Sequence, residues 1–389
     1  MTSSPTLKGS NAERSRTRNR IAVLGKIHHS GELGRAELAR GLDLSVQAVS
    51  NIIADLLGDG MLVEKGARSA GRGLPAVQYG INPTGGYALG IEIRPTVIYA
   101  AMLDLLGNTV FTHRSTIGDA QPDAVIPEVT RLRDLALQAV PEAKDRLLGA
   151  GIVMPGPFGA TGLSGRETDL PNWQNVNPTE LFQAALDLPI EVSNDANAAA
   201  MSERISGCAQ GLDSFGYLYF GSGLGLGLVS QGHLIRGAFG NAGEIGHIPV
   251  PTPPGSAPLE TRLSRMSVQH YLELAGHLDV DFEALEKLYD QSNPDLMTWL
   301  QSATDALGHA TQIIENLFDP RTIILGGAMP KTILQHLVNS VVLNSASVSQ
   351  RNDNSQPRLQ CGASGPLVAT LGAAALILNR RLTPNAADL

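Results

Sequence analysis

Cysteine is scarce in this sequence, and long apolar runs are missing from it. Only Cys208 and Cys361 occur in 389 residues, which excludes a disulfide framework and indicates a reduced, cytoplasmic setting. No apolar run approaches the ~20 residues that cross a bilayer, so we expect no membrane-spanning segment. The first 20 residues are polar and rich in arginine, which is not typical of a secretory signal.

The charge of the chain is unevenly divided. A chain of 389 residues is too long for one ordinary core, so we expect two or three domains. Residues 1–83 hold 11 Lys and Arg against 7 Asp and Glu, a net charge of +4, whereas the whole chain carries -8. A basic end on an acidic body favours contact with a polyanion through that end alone. The plainer alternative is that the arginines at 14, 16, 18 and 20 form a solvated tail.

The N-terminal segment has the pattern of a helix-turn-helix. A first helix is predicted from about Arg18 to Gly31, a second over 35–40 with Gly41 as its stop, and a third after Ser45, a good N-cap, closing at 58–60. Val46, Val49, Ile53 and Leu56 are predicted to line the apolar face of the third helix. Its opposite face is small and polar, and holds Gln47, Ser50, Asn51 and Ala54. Such a face suits hydrogen bonding to base edges in the DNA major groove.

A basic wing is predicted after these helices. Strands at 61–64 and 77–81 flank a loop that carries Arg68 and Arg72. Arg72 suits the negative potential of the minor groove, although both arginines are also compatible with ordinary solvated charge. The candidate DNA-binding residues are therefore Ser45, Gln47, Ser50, Asn51, Arg68 and Arg72.

The remaining chain repeats one pattern. Three strands at 88–93, 97–104 and 110–113 precede a helix at 124–140 and a strand at 148–153. The pattern returns as strands at 215–220, 225–230 and 233–236, a helix at 304–318 and a strand at 322–325. This repeat predicts an α/β body of two similar lobes, with a ligand site in the cleft between them.

Three motifs in this body resemble those of the ROK family (repressors, open reading frames, kinases). They are N-D-A-N at 194–197, alternating glycines at 221–227, and G-x-x-G-E-x-G-H at 240–247. The resemblance covers nearly the whole chain. It implies a winged helix-turn-helix over 1–83, fused to a two-lobed, actin-like and ribonuclease-H-like sugar-kinase fold. The first lobe is expected over 84–194 with 366–389 returning to it, and the second over 195–365.

The resemblance also implies a sugar site. Carried over position by position, the residues that bind sugar hydroxyls are Asn194, Asp195, Glu244, His247 and Glu260. Each has a plainer interpretation: Asn194 and Asp195 suit a helix cap, and His247 suits a satisfied core histidine. Because none of the five is Lys or Arg, we expect a small neutral sugar.

Two departures from the family pattern bear on chemistry. Where kinases of the family have D-x-G-x-T, residues 92–96 read Glu-Ile-Arg-Pro-Thr, and Arg94 and Pro95 replace the glycines that admit phosphate. After His247 the cysteine cluster that binds zinc is missing, and a proline-rich segment, expected as a stiff loop, stands there. We expect neither kinase activity, nor bound metal, nor a cofactor.

These observations favour a sugar-responsive DNA-binding regulator, a repressor of carbohydrate uptake or catabolism genes. We expect it to bind double-stranded operator DNA as a homodimer or tetramer. One alternative is a sugar kinase with an appended DNA-binding domain. Another is a regulator whose input is a protein partner rather than a sugar.

Overall fold

The N-terminal domain is a winged helix-turn-helix. The computed structural model describes residues 12–68, 75–159, 161, 170, 172–173, 176–252 and 254–384. In this domain the elements are α1 (Ala12–Ser30), β1 (Glu32–Gly34), α2 (Arg35–Leu42), α3 (Val46–Gly58), β2 (Leu62–Arg68) and β3 (Ala76–Ile81). The strands form an antiparallel sheet in the order β1-β3-β2. The three helices and the two strands that flank the wing are therefore present as predicted, while residues 69–74 of its loop lie outside the described residues.

Several predicted boundaries in this domain were wrong. Helix α1 begins at Ala12, so the arginines at 14–20 lie within a helix. Helix α2 runs past Gly41 to Leu42, and Asp43 ends it in the left-handed conformation at φ 53. Val46 is 55% exposed rather than part of the apolar face of α3, where Ile52 is buried instead. Strand β1 is too short for a periodic pattern and was not predicted.

The first lobe is a five-stranded sheet with helices on its outer face. Its elements are β4 (Tyr87–Arg94), β5 (Val97–Asp104), β6 (Thr109–Thr116), α4 (Pro122–Ala139), β7 (Leu147–Val153), α5 (Pro178–Leu186) and β8 (Ile190–Ser193). The strand order is β6-β5-β4-β7-β8, with β7 parallel to both of its neighbours. This is the meander followed by a parallel crossover that the sequence pattern predicts.

The second lobe repeats that sheet. It comprises α6 (Asp195–Ser206), β9 (Phe215–Phe220), β10 (Leu224–Ser230), β11 (His233–Leu234), β12 (Pro249–Thr252), β13 (Gly255–Pro258), α7 (Arg265–Leu274), α8 (Phe282–Asp290), α9 (Pro294–Phe318), β14 (Ile323–Gly327), α10 (Lys331–Ser340) and β15 (Leu359–Ser364). The main sheet has the order β11-β10-β9-β14-β15. The final helix, α11 (Val368–Leu382), packs on β4 and β7 of the first lobe.

The proline-rich segment is not the stiff loop that the sequence suggested. Strands β12 and β13 pair antiparallel from Pro249 opposite Pro258 to Thr252 opposite Gly255. Proline lacks an N–H donor, but a two-stranded ladder has open outer edges where no donor is required. Helix α9 is also longer than predicted, since it begins at Pro294.

Helices α6 and α11 lie between the lobes, and glycine residues allow their backbones to pack closely. A Cβ on Gly372 of α11 would clash with the Ala198 carbonyl of α6. A Cβ on Gly151 of β7 would clash with α11 at Ala373, and one on Gly227 of β10 would clash with α6 at Ala196. Each lobe therefore packs its sheet on one helix through glycine, and the two helices pack on each other.

The hydrophobic core has three clusters with distinct positions. One lies on the outer side of each lobe sheet. The third is continuous from the N-terminal domain, including Ile27 and Ile53, through Ala199 of α6 to Leu378 of α11. The N-terminal domain thus shares a core with the interlobe helices. Among the described residues, no helix is long and apolar enough to cross a membrane.

Candidate functional sites

The step from β8 to α6 places the first two candidate residues at the cleft. Asn194 is the N-cap of α6, and its Oδ1 accepts a hydrogen bond from Asn197 N at 2.9 Å. The capping interpretation is therefore correct for Asn194. Its Nδ2 donates to no protein group within the described part of the chain, so it remains available to a ligand. Asp195 Oδ1 accepts from Ala196 N at 2.8 Å.

The glycine run lies against these residues. A Cβ on Gly221 would lie 3.1 Å from Asp195 Oδ2, and one on Gly225 would lie 2.7 Å from Ala196 Cβ. The alternating glycines thus let the turn between β9 and β10 approach the start of α6. Close packing of the helix explains their spacing, and it leaves Asp195 at the cleft floor.

Three further candidates lie on second-lobe loops around the same point. His247 Nε2 is 3.6 Å from Glu244 Oε2, and His247 Nδ1 is 3.4 Å from Glu260 Oε1. Glu260 fits because Gly223 has no side chain: a Cβ there would lie 2.6 Å from Glu260 Oε2. The imidazole therefore stands between two carboxylates, each about a quarter exposed.

Gly156 joins the two groups of candidates. A Cβ at this position would be 3.3 Å from Glu244 Oε1 and 3.9 Å from Asn194 Cβ. The structure thus brings together the residues that we call the cleft cluster: Asn194, Asp195, Glu244, His247 and Glu260. It offers carboxylate acceptors, an imidazole and an amide donor, which is the mixed set that hydroxyl groups require.

Burial shifts the acidity of this cluster. Desolvation, reinforced by the negative charge of Glu92, raises the pKa of Asp195 to about 6. Burial also raises the pKa of Glu244, and His247 partly offsets this effect. Ionised carboxylates that lose water on burial are costly unless hydrogen bonds replace that water. A ligand that donates hydrogen bonds to them lowers that cost.

The lobes are also tied together across the cleft by the loop that leads to Glu244. Asn241 Oδ1 accepts from Phe158 N at 2.7 Å, while its Nδ2 donates to Phe158 O at 2.9 Å. At the start of the loop Arg236 pairs with Glu191 of β8. This loop therefore connects the cleft cluster to the first lobe at two points.

The position of the kinase phosphate loop is filled by a hydrogen-bonded arginine. Arg94 Nε donates to Glu92 Oε1 at 2.7 Å, Arg94 Nη2 donates to Pro366 O at 2.9 Å, and the guanidinium lies 4.8 Å from the ring centre of Tyr99. Glu92 is itself buried and accepts from Thr370 Oγ1 at 2.6 Å. The departure was visible in the sequence, but the partners of Arg94 were not.

Sequence reasoning missed Arg265, which begins α7 beside the glycine turn. The next residue, Met266, donates its N–H to Ser222 O at 3.2 Å, which fixes α7 against that turn. Burial, followed by repulsion from Arg94, lowers the pKa of Arg265. Its guanidinium makes no hydrogen bond or ion pair with any residue that the structure describes. Only tertiary packing brings this side chain to the cleft.

The second candidate surface is the outer face of α3. Ser45 caps the helix by accepting from Ala48 N at 3.1 Å, as predicted. Gln47 and Asn51 are exposed and hydrogen bonded to each other at 3.1 Å, and Ser50 donates to the Val46 carbonyl at 2.8 Å. A pair of exposed amides at adjacent turns can present donors and acceptors to base edges.

Arginines flank this surface. Arg68 is the last residue of β2 and pairs with Glu37 of α2 at 2.5 Å. Arg72 lies outside the described residues. On α1, Arg16 pairs with Asp55 at 2.5 Å and Arg20 with Asp59, so two members of the arginine run hold α1 on α3 rather than forming a solvated tail.

The family assignment follows from comparison with known proteins. The ROK family model matches residues 88–380, about three quarters of the chain. The chain belongs to the ROK family. A solved ROK family transcriptional regulator, a homologue of the E. coli MLC protein, superposes with a TM-score of 0.72 at 24% identity, covering 95% of this chain and 98% of that one. The α/β fold class, with both the N-terminal domain and the two-lobed body, is thereby confirmed.

Both regulators and enzymes occur among the relatives. The xylose repressor of Bacillus spizizenii is 25% identical over 86% of this chain and 87% of its own length. A protein named as a putative xylose repressor and a xylose repressor, both from Caldicellulosiruptor, are 28% and 30% identical over 60% and 59% of this chain, which spans 58% of each. A glucokinase from Halalkalibacterium halodurans is 27% identical over 62% of this chain and 80% of the enzyme. Similarity alone therefore does not separate a repressor from a kinase.

The ROK zinc site has no counterpart among the described residues. Within that part of the chain, no three His, Cys, Asp or Glu side chains are grouped so that they could hold a metal ion. His247, the family's zinc-ligand position, has two carboxylates as neighbours instead.

The raised pKa of Asp195 predicts a gain in stability when its charge is removed. The folded-state pKa, about 6, lies above the ordinary value of 3.8, so ionised Asp195 destabilises the fold above pH 6 and this penalty disappears as the pH falls below about 4. Asp195→Asn should raise the free energy of unfolding at pH 7.5 by about 1–2 kcal/mol. Thermal denaturation at pH 7.5 and pH 4.5 tests this, and an equal gain at both values would contradict it.

Proposed function

We propose that this ROK protein is a sugar-responsive repressor that binds operator DNA and carries a sugar between its lobes as effector. The observation that supports this most directly is the combination of two surfaces in one chain. One is the exposed amide face of α3 on a winged domain, and the other is the cleft cluster. The similarity to xylose repressors supports a role in carbohydrate gene control in the cytoplasm.

The composition of the cleft supports an uncharged sugar. Four carboxylates lie in or beside it, namely those of Glu92, Asp195, Glu244 and Glu260. The cations that the structure describes near it are the guanidinium groups of Arg94 and Arg265, and Arg94 is already paired with Glu92. A sugar acid or sugar phosphate would meet this excess of negative charge. D-xylose is the first candidate, because xylose repressors are among the relatives.

Two-fold DNA sites require two recognition helices, so we propose a homodimer as the binding species. Dimeric helix-turn-helix proteins place their recognition helices about one helical turn of DNA apart, or a multiple of it. A change in lobe arrangement would alter that spacing. The sugar then changes DNA affinity to the extent that it prefers one arrangement of the lobes.

Replacing the amides of α3 should weaken and relax DNA recognition. We expect Gln47→Ala or Asn51→Ala to cost about 1–3 kcal/mol at particular base pairs, because each removes donors or acceptors that face base edges. Selection from a randomised duplex library, followed by titration of single-base variants, measures this. Binding by residues 84–389 alone that equals binding by the full chain would exclude the DNA-binding role of the N-terminal domain.

The alternative is a sugar kinase with an appended DNA-binding domain. We expect no sugar-dependent release of ADP from ATP, since Arg94 is bound within the loop that would have to receive phosphate, and Pro95 lacks an N–H to donate to it. A coupled ADP assay over a panel of monosaccharides, with a ROK glucokinase as positive control, checks this. Turnover above background with any sugar would establish the enzyme.

Asp195→Ala should remove the sugar response and spare DNA binding. The side chain lies at the cleft floor and not in the N-terminal domain, so operator affinity without sugar should change by less than about twofold. The difference in affinity with and without D-xylose should vanish, because a hydroxyl partner is lost. Fluorescence anisotropy of operator binding, with and without sugar, compares the two proteins. A response equal to that of the wild type would show that the sugar binds elsewhere.

A further inference from the structure

The N-terminal domain, which is the DNA-reading domain under the proposed function, is held on the first lobe by more than its linker. A Cβ on Gly25 of α1 would clash with the Leu382 carbonyl at the end of α11, so the two backbones are in direct contact. His28 Nε2 lies 3.3 Å from the Leu106 carbonyl, in the turn between β5 and β6. At the linker, Arg146 Nη1 donates to Thr84 O at 2.7 Å. These contacts all involve the first lobe or the helix packed on it.

The neighbouring histidine touches the second lobe instead. A Cβ on Gly211 would collide with the imidazole ring of His29, so the ring lies directly on the backbone there. Gly211 has φ +76 and belongs to the connection between α6 and β9. Consecutive residues of α1 thus contact different lobes: His28 the first and His29 the second.

Helix α6 connects this contact to the cleft. Its first residue is Asp195, which belongs to the cleft cluster. Its last residue is Ser206, and Gly211 follows five residues later. Twelve helical residues span about 18 Å. Helix α6 packs on β10 of the second lobe through Gly225 and Gly227, and on α11 through Gly372. A shift of α6 at the cleft cluster would therefore reach Gly211 through one rigid element.

We propose that the contact between His29 and Gly211 transmits the arrangement of the lobes to the DNA-reading domain. This inference rests on the proposed function, because it assigns the route by which the sugar controls DNA binding. The domain also contacts the first lobe and α11, so a rotation of one lobe relative to the other changes the contact between His29 and Gly211. Coupling through it is reciprocal: sugar alters DNA affinity, and DNA alters sugar affinity by the same factor.

Substitution of His29 tests the route. In full-length protein, His29→Ala should leave the operator dissociation constant without sugar, and the D-xylose dissociation constant without DNA, within about twofold of wild type. The ratio of operator dissociation constants with and without D-xylose should fall to below about twofold, where allosteric ratios are commonly about 5–150. Ser30→Ala, at the exposed next residue of α1, is the matched control and should keep the wild-type ratio. A wild-type ratio in His29→Ala overturns the inference.

A second measurement separates failure of the route from failure of the proposed sugar. Amide hydrogen exchange of residues 205–212 is followed with and without a duplex that the full-length protein has selected from a random library. The duplex should change exchange in this second-lobe segment by at least about twofold in wild type and Ser30→Ala, but not in His29→Ala. If D-xylose has no effect on wild type while the duplex produces this pattern, the route stands and the effector assignment is wrong. If exchange at 205–212 does not respond to the duplex in wild type, the route is wrong whatever the sugar does.

Discussion

The architecture depends on the direct contact between the backbones of two helices, at Gly372 of α11 and Ala198 of α6. Each helix is packed through glycine on the sheet of one lobe, and their crossing is the place where the lobes meet. Close-packed interiors transmit displacement because they hold little free volume. The cleft cluster at one end of α6 and the N-terminal domain near the other are therefore parts of one packed unit, which the continuous core cluster also shows.

The cleft holds carboxylates whose charged form is disfavoured by burial. Desolvation raises the pKa of Asp195 to about 6, and two carboxylates flank His247 at distances above 3 Å. A fold selected only for stability would replace such groups with apolar ones or pair them fully. Polar groups of this kind are typical of a binding site, where the ligand supplies the missing hydrogen bonds.

One short loop, at the end of β4, separates this chain from the kinase pattern of the family. In ROK kinases, glycines at the end of the first strand admit phosphate. Here the guanidinium of Arg94 lies at the end of β4, bound to Glu92, the Pro366 carbonyl and the face of Tyr99. Catalysis of phosphoryl transfer depends on the placement of phosphate and Mg²⁺. The contacts of Arg94 leave the cleft cluster intact, which is consistent with the proposed function, in which a sugar is recognised without being phosphorylated.

The sequence by itself determined the periodic elements, because alternating strands, capped helices and glycine turns are local consequences of side-chain chemistry. The cap at Ser45, the first meander and the motif positions of the cleft residues could all be predicted in this way. Tertiary structure alone decided what had no local signal. Strand β1 is too short for a period, the hairpin of β12 and β13 is hidden by its prolines, and Arg265 reaches the cleft only because α7 packs on the glycine turn. The contact of His29 with Gly211 joins residues far apart in the chain, and only packing of α1 across both lobes brings them together.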